Sequence, residues 1–168
     1  MSKGHAARPG MFFHTKERVM KVLLPVDGSE GSLAAVRHAI HLLREGLRAS
    51  FVLANVQEPA SLYEVVVAHD AQVLESVSDA AGADALHAAQ ALLRAAGAEF
   101  ESEIASGDPG HMLADMAERF GCDLVVMGAR GAGADSGRGL LGSVATAVLH
   151  AALDVAPMPV TIVRQPEA

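Results

Sequence analysis

Tryptophan is absent from this sequence, tyrosine occurs once, and phenylalanine five times in 168 residues. With aromatics at 4%, any core must be built from aliphatic side chains. A single cysteine, Cys122, excludes an internal disulfide, and no Cys/His cluster has the spacing of a structural metal. Neither is needed, because a chain of this length buries about two-thirds of its unfolded surface on folding. The expectation is a reducing, cytoplasmic setting. Long apolar runs are also lacking: the longest uncharged stretch, 139–153, is interrupted by Ser143, Thr146 and His150. That falls short of the roughly 18 residues a membrane span requires, so no membrane association is expected.

Positive charge is scarce. There are 13 Lys+Arg against 20 Asp+Glu, a formal net charge of -7. Lys3, Arg8, Lys16 and Arg18 lie within the first 18 residues against Glu17 alone, so residues 19–168 hold 9 basic and 19 acidic groups. An acidic body without a basic stripe repels polyanions, so nucleic acid is not an expected partner. Residues 1–18 lack the apolar centre of a signal peptide and read as a flexible extension, leaving 19–168 as one domain.

What is present from residue 19 onward is a set of short aliphatic runs alternating with helical patterns, the mark of stacked βαβ units and a parallel sheet. Five strands are predicted at 21–26, 51–56, 99–105, 123–127 and 160–163. Runs such as LVVM suit strands covered by helices on both faces. Leu33, Val36, Ile40, Leu43 and Leu47 fall on one helical face, which Ser29 or Asp27 can cap. Asp108-Pro109 opens a second stripe of Leu113, Met116, Ala117 and Phe120, which Gly121 stops. Leu141, Val144, Ala145, Val148 and Leu149 make a last stripe before Pro157 and Pro159. Segment 58–81 has no strict period and reads as a loop or irregular helix leading into an Ala-rich helix that ends at Ala96-Gly97. The fold class is therefore α/β, a doubly wound five-stranded parallel sheet.

In such sheets ligands bind beyond the carboxyl ends of the strands, where the winding direction reverses. Two segments there carry unusual residues. The first strand runs into Pro25-Val26-Asp27-Gly28-Ser29. The fourth runs into residues 128–143, which hold six of the 16 glycines. Glycine lets backbone amides turn toward an anion, and the loop opens a helix whose first amides lack internal acceptors. Ser143 adds a hydroxyl, while Arg130 and Arg138 outweigh Asp135. These features describe a phosphate cradle; a flexible strand-to-helix connection is the plainer reading. Gly137-x-Gly139-x-x-Gly142 matches a dinucleotide fingerprint only formally, because it starts ten positions after the strand, and no Walker-type loop is present.

KVLLPVDGSEGSLAAVRHA, GDPGHMLADMAERFGCDLVVMGARG and GLLGSVATAVLHAA with PMPVTIV together resemble the universal stress protein family over about residues 19–164. The resemblance implies a Rossmann-like sheet that dimerises through its last strand. In one subgroup it implies ATP, alone or with Mg²⁺, held by a G-x2-G-x9-G-[ST] motif. Gly128-x2-Gly131 is present here, but ten residues separate it from Gly142-Ser143, and 153–156 (LDVA) are added before the last strand. By resemblance Asp27 contacts the ribose or a metal, and the backbone around Pro25 and Val56 flanks the base. Gly128 and Gly131 approach the nucleotide, and Gly142, Ser143 and Val144 bind its phosphates. The functional expectation is a stress-response protein that binds an adenine nucleotide and signals through its dimer or loop state, with slow hydrolysis at most. The alternative is a nucleotide-free dimeric interaction module.

Three further groups carry simpler expectations. His38 and His41 read as solvated helix residues and not a metal pair. Cys122 reads as a small apolar group with no adjoining cation. Met112, Met116 and Met127 read as core packing.

Overall fold

Alternating strands and helices build one parallel sheet, in a computed structural model that describes residues 18–59, 61, 66, 71–131, 140–154 and 158–165. The elements are β1 (Met20–Pro25), α1 (Glu30–Arg44), β2 (Ala49–Gln57), α2 (Ala71–Ala95), β3 (Phe100–Ser106), α3 (Pro109–Arg119), β4 (Leu124–Gly128), α4 (Ser143–Asp154) and β5 (Val160–Val163). Strand order is β3-β2-β1-β4-β5, all pairs parallel. The chain winds outward from β1 to β3, returns, and winds the other way through β4 and β5. The reversal therefore falls between the carboxyl ends of β1 and β4.

The two-residue period of a strand sends alternate side chains to opposite faces, and the core divides accordingly. Val22, Leu24, Phe51, Leu53 and Val126 pack with α1 and α2. Leu23, Val52, Ala54, Val125 and Met127 pack with α3 and α4. Among the described residues Phe51 is the largest fully buried side chain, with Phe100 and Phe120 packed at the margins of the two layers.

Strand limits fall within two residues of the sequence expectation, and three helix-stripe residues lie outside their helices: Leu47, Leu141 and Phe120, the C-cap of α3. Leu47 follows the end of α1, where its amide donates to Leu42 O in a closing turn at 2.9 Å. Leu141 precedes α4 and is 36% exposed. The irregular start expected for α2 is regular helix from Ala71, since helical spacing survives there without a strict apolar stripe. Ser29, not Asp27, is the N-cap of α1, its Oγ accepting from Ser32 N at 3.2 Å. Asp108 caps α3 as expected: the amide and ring of His111 donate to it and hold its carboxyl below the ordinary value.

Met116 and Met127 are buried, and Met112 packs over Gly107. Cys122 is half-buried, and burial raises its thiol from 9.0 to about 11. Contrary to the sequence expectation a cation, Lys21, does lie close enough to oppose that shift, but desolvation wins. Because the neutral thiol is favoured in the folded state, its contribution to stability is complete below pH 9 and drains away as pH rises to about 11. Cys122→Ala is expected to flatten that part of the stability curve, measured by urea unfolding from pH 8 to 11.

Candidate functional site

The switch point brings together the ends of β1 and β4 and the starts of α1 and α4. At β1, Pro25 is buried in register with Ala54, and Val26 N donates to Ala54 O at 2.8 Å. The chain then turns through Gly28, whose φ of 81° is natural for glycine and which packs closely on Ala85. Asp27, exposed at this turn, accepts on Oδ1 from Ser29 N at 3.0 Å and from Ser29 Oγ at 2.5 Å. Its Oδ2 is directed at Gly131, where an added Cβ would collide with it.

At β4 the backbone of Ala129 is the anchor. Its amide donates to Val163 O at 2.9 Å, and its carbonyl accepts from Gly142 N at 2.7 Å. The segment 130–141 thus leaves and returns to one residue. The extra loop residue belongs to the segment between those two bonded residues, and the start of α4 is hydrogen-bonded to the end of β4. Thr146 closes the first turn, its N and Oγ1 both donating to Gly142 O at 3.0 Å. Gly142 therefore spends its own amide on Ala129. The amides of Ser143, Val144 and Ala145 have no helical carbonyl a turn earlier to receive them, as at any helix start, and they share its positive dipole end. Ser143 is exposed, Val144 half-buried, and Arg130 exposed.

Of the residues expected at the site, Pro25, Asp27, Gly128, Arg130, Gly131, Gly142, Ser143 and Val144 fall on these converging segments. Val56 lies near the end of β2, half-buried and in register with Ala105. Arg138, with Asp135, Gly137 and Gly139, lies outside the described residues. The glycines differ in what they need. A Cβ on Gly128 would lie 2.6 Å from Gly31 O, and one on Gly31 would strike Arg130 O. These glycines let α1 approach β4 closely. At Gly142 an added Cβ would make only ordinary contacts, the nearest 3.5 Å from Arg130 Cα.

Asn55 was not singled out from the sequence, although a lone amide inside FVLANV is a visible signal. It is 2% exposed, donates through Nδ2 to Val26 O at 2.8 Å, and accepts at Oδ1 from Gln57 Nε2 at 2.6 Å. Gly82 of α2 passes so close that a Cβ would lie 2.9 Å from Asn55 Oδ1. Asn55 thus fixes the Val26 carbonyl directly before Asp27. Asn55→Leu leaves that buried carbonyl without its donor, and is expected to cost about 1–3 kcal/mol in urea unfolding.

His38 and His41 stand with ring centroids 6.4 Å apart. Among the described residues no three His, Cys, Asp or Glu side chains gather as a metal site, and no helix is long and apolar enough to cross a membrane.

A doubly wound parallel sheet with a glycine-lined turn, a carboxylate and a helix start meeting at its switch point defines a protein of the Rossmann-like α/β class. Within that class the assignment is specific: the Universal stress protein family profile matches residues 19–164, and the chain belongs to that family. A universal stress protein of Methanocaldococcus jannaschii is 29% identical over 148 residues, 88% of this chain and 83% of its own length. The structure of universal stress protein UspA from Lactobacillus plantarum superposes with a TM-score of 0.70 at 26% identity, covering 88% of this chain and 99% of that one. A universal stress protein solved in complex with cAMP gives 0.58 at 27% identity, covering 87% and 97%.

Proposed function

We propose that this rim binds an adenine nucleotide, ATP foremost, with its phosphates at the start of α4. The observation that carries the reading is the pinned junction at Ala129, which holds the first amides of α4 beside Arg130 and opposite Asp27. Amides at a helix start and a guanidinium suit phosphate oxygens. The Asp27 carboxylate, exposed on the same rim, is the group to meet a ribose hydroxyl or a nucleotide-borne Mg²⁺. Pro25 and Val56 flank the base in this arrangement. The family relative solved with cAMP supports an adenine ligand.

Occupancy, in this proposal, biases a homodimer formed through β5 in a stress response. Sheet order leaves β5 at an edge, and its four residues are half-buried in the single chain. An edge with apolar residues is protected by pairing with a second copy. A monomeric mass by sedimentation at micromolar concentration would contradict the dimer.

One observation favours a nucleotide-free interaction module: the space beside Gly128 and Gly131 is taken by Gly31 and Asp27, so those glycines have a packing reason of their own. Calorimetric titration with ATP, ADP and AMP, with and without Mg²⁺, separates the two. The nucleotide reading expects one site per chain and affinity that falls as phosphates are removed. Absence of binding for all three supports the module.

A further inference from the structure

On the sheet face opposite α1 and α2, helices α3 and α4 pack against each other. Gly110, the second residue of α3, permits the touch, since a Cβ there would lie 2.5 Å from Ala147 Cβ. Below that point small side chains leave a groove of about 360 Å³, lined by Leu113, Ala114, Ala117, Val125, Ala151 and Met158. Its volume is within the range of about 300–1,000 Å³ that seats organic groups in protein pockets. The rim carries Asp115 and Glu118, both exposed, with His111 and His150. Asp108 pairs with His111 at 2.7 Å, and the carboxylates left on the rim are Asp115 and Glu118. The groove stands apart from the Ala129 junction and takes no part in the nucleotide proposal.

We propose that this groove is the docking site of the chain's own amino-terminal segment, with Phe12 and Phe13 seated in the apolar floor. Three features select that occupant. First, Met11-Phe12-Phe13 is an apolar trio containing two of only five phenylalanines, flanked by Arg8 and Lys16, a pattern that complements an apolar floor with an acidic rim. Second, the segment starts beside the groove. Arg18 Nη2 pairs with Asp123 Oδ1 at 2.6 Å, and Lys21 lies 5.4 Å from the Phe120 ring at the end of α3. Asp123 is two residues, about 7 Å along the strand, from the groove residue Val125. Val125 N in turn donates to Pro159 O, next to the groove residue Met158. Third, the five residue steps from Arg18 back to Phe13 span at most about 18 Å, more than twice the roughly 7 Å between Asp123 and the groove residue Val125. The positive segment and the acidic body attract over the same distance.

The test uses the full chain with Gly10→Cys in a Cys122→Ser background, carrying a nitroxide at position 10. In dilute ¹⁵N-labelled protein, broadening of the Ala114, Ala151 and Met158 amides is expected. It should disappear when Phe12→Ser and Phe13→Ser are added, and weaken several-fold with Asp115→Asn and Glu118→Gln. Groove amides left sharp would overturn the proposal, as would broadening that survives loss of both phenylalanines. A sample mixing nitroxide-bearing unlabelled chains with ¹⁵N chains gives the remaining arm. Broadening confined to that mixture would assign the groove to a second copy and overturn docking within one chain.

Discussion

Ser143→Pro is expected to weaken ATP binding at least about a hundredfold while leaving the fold intact. Position 143 is the first residue of α4, where proline's fixed φ is compatible with the helix and its missing N–H breaks no intrahelical bond. Gly142 precedes it as the half-in flanking residue, and its amide bond to Ala129 O is untouched. What the substitution removes is one amide and one hydroxyl aimed at the proposed phosphate position. Hydrogen bonds to a charged group contribute about 1.5–3 kcal/mol each, and each 1.4 kcal/mol is tenfold in affinity. Calorimetry gives the affinity, and an unchanged urea midpoint verifies that helix α4 survives. Equal affinity in wild type and variant would remove the helix start from the site.

Phe51→Ala is expected to cost about 3–5 kcal/mol, the largest stability loss from any single truncation considered. Phe51 is 1% exposed at the centre of β2, between β1 and β3, in register with Val22 and Phe100. It belongs to the layer under α1 and α2, which holds no other fully buried aromatic. In a core otherwise filled by Leu, Val, Ile and Ala, small neighbours cannot swing in to fill a phenyl-sized void. The consequence should extend to the site, because α1 and α2 rest on this layer and carry Ser29, Gly31 and Gly82. Urea unfolding measures the loss; a cost below about 1.5 kcal/mol would show that the layer collapses around the void.

Much of this architecture is legible in the residues because parallel strands buried on both faces must be continuously aliphatic, and KVLLPV, FVLANV and DLVVM announce themselves. Caps are legible for a similar reason: Ser29 and Asp108 have the oxygen and spacing that a helix start demands. Where sequence reading strayed, a stripe had been extended through a turn. Leu47, Phe120 and Leu141 keep helical spacing but fall where the backbone closes or has yet to start its helix, and spacing alone is blind to hydrogen bonds.

The site was legible as a set of segments and not as a set of contacts. Glycines at 128 and 131 suggest room for a ligand, yet Gly31 and Asp27 occupy the adjoining space, which only their tertiary approach reveals. Conversely the Gly142–Ala129 bond, which ties the start of α4 to the end of β4, joins residues thirteen apart and has no sequence pattern. The groove between α3 and α4 was invisible for the same reason: its lining comes from α3, β4, α4 and the approach to β5, which only the fold brings together.

The central claim is that amides at the start of α4 receive a nucleotide's phosphates, and two-dimensional ¹H–¹⁵N spectra during ATP addition test it most directly. The account predicts that Ser143, Val144 and Ala145 shift most and saturate together with Arg130 and Gly131. Nucleotide-dependent shifts centred elsewhere, with those five amides unmoved at saturating ATP, would contradict it.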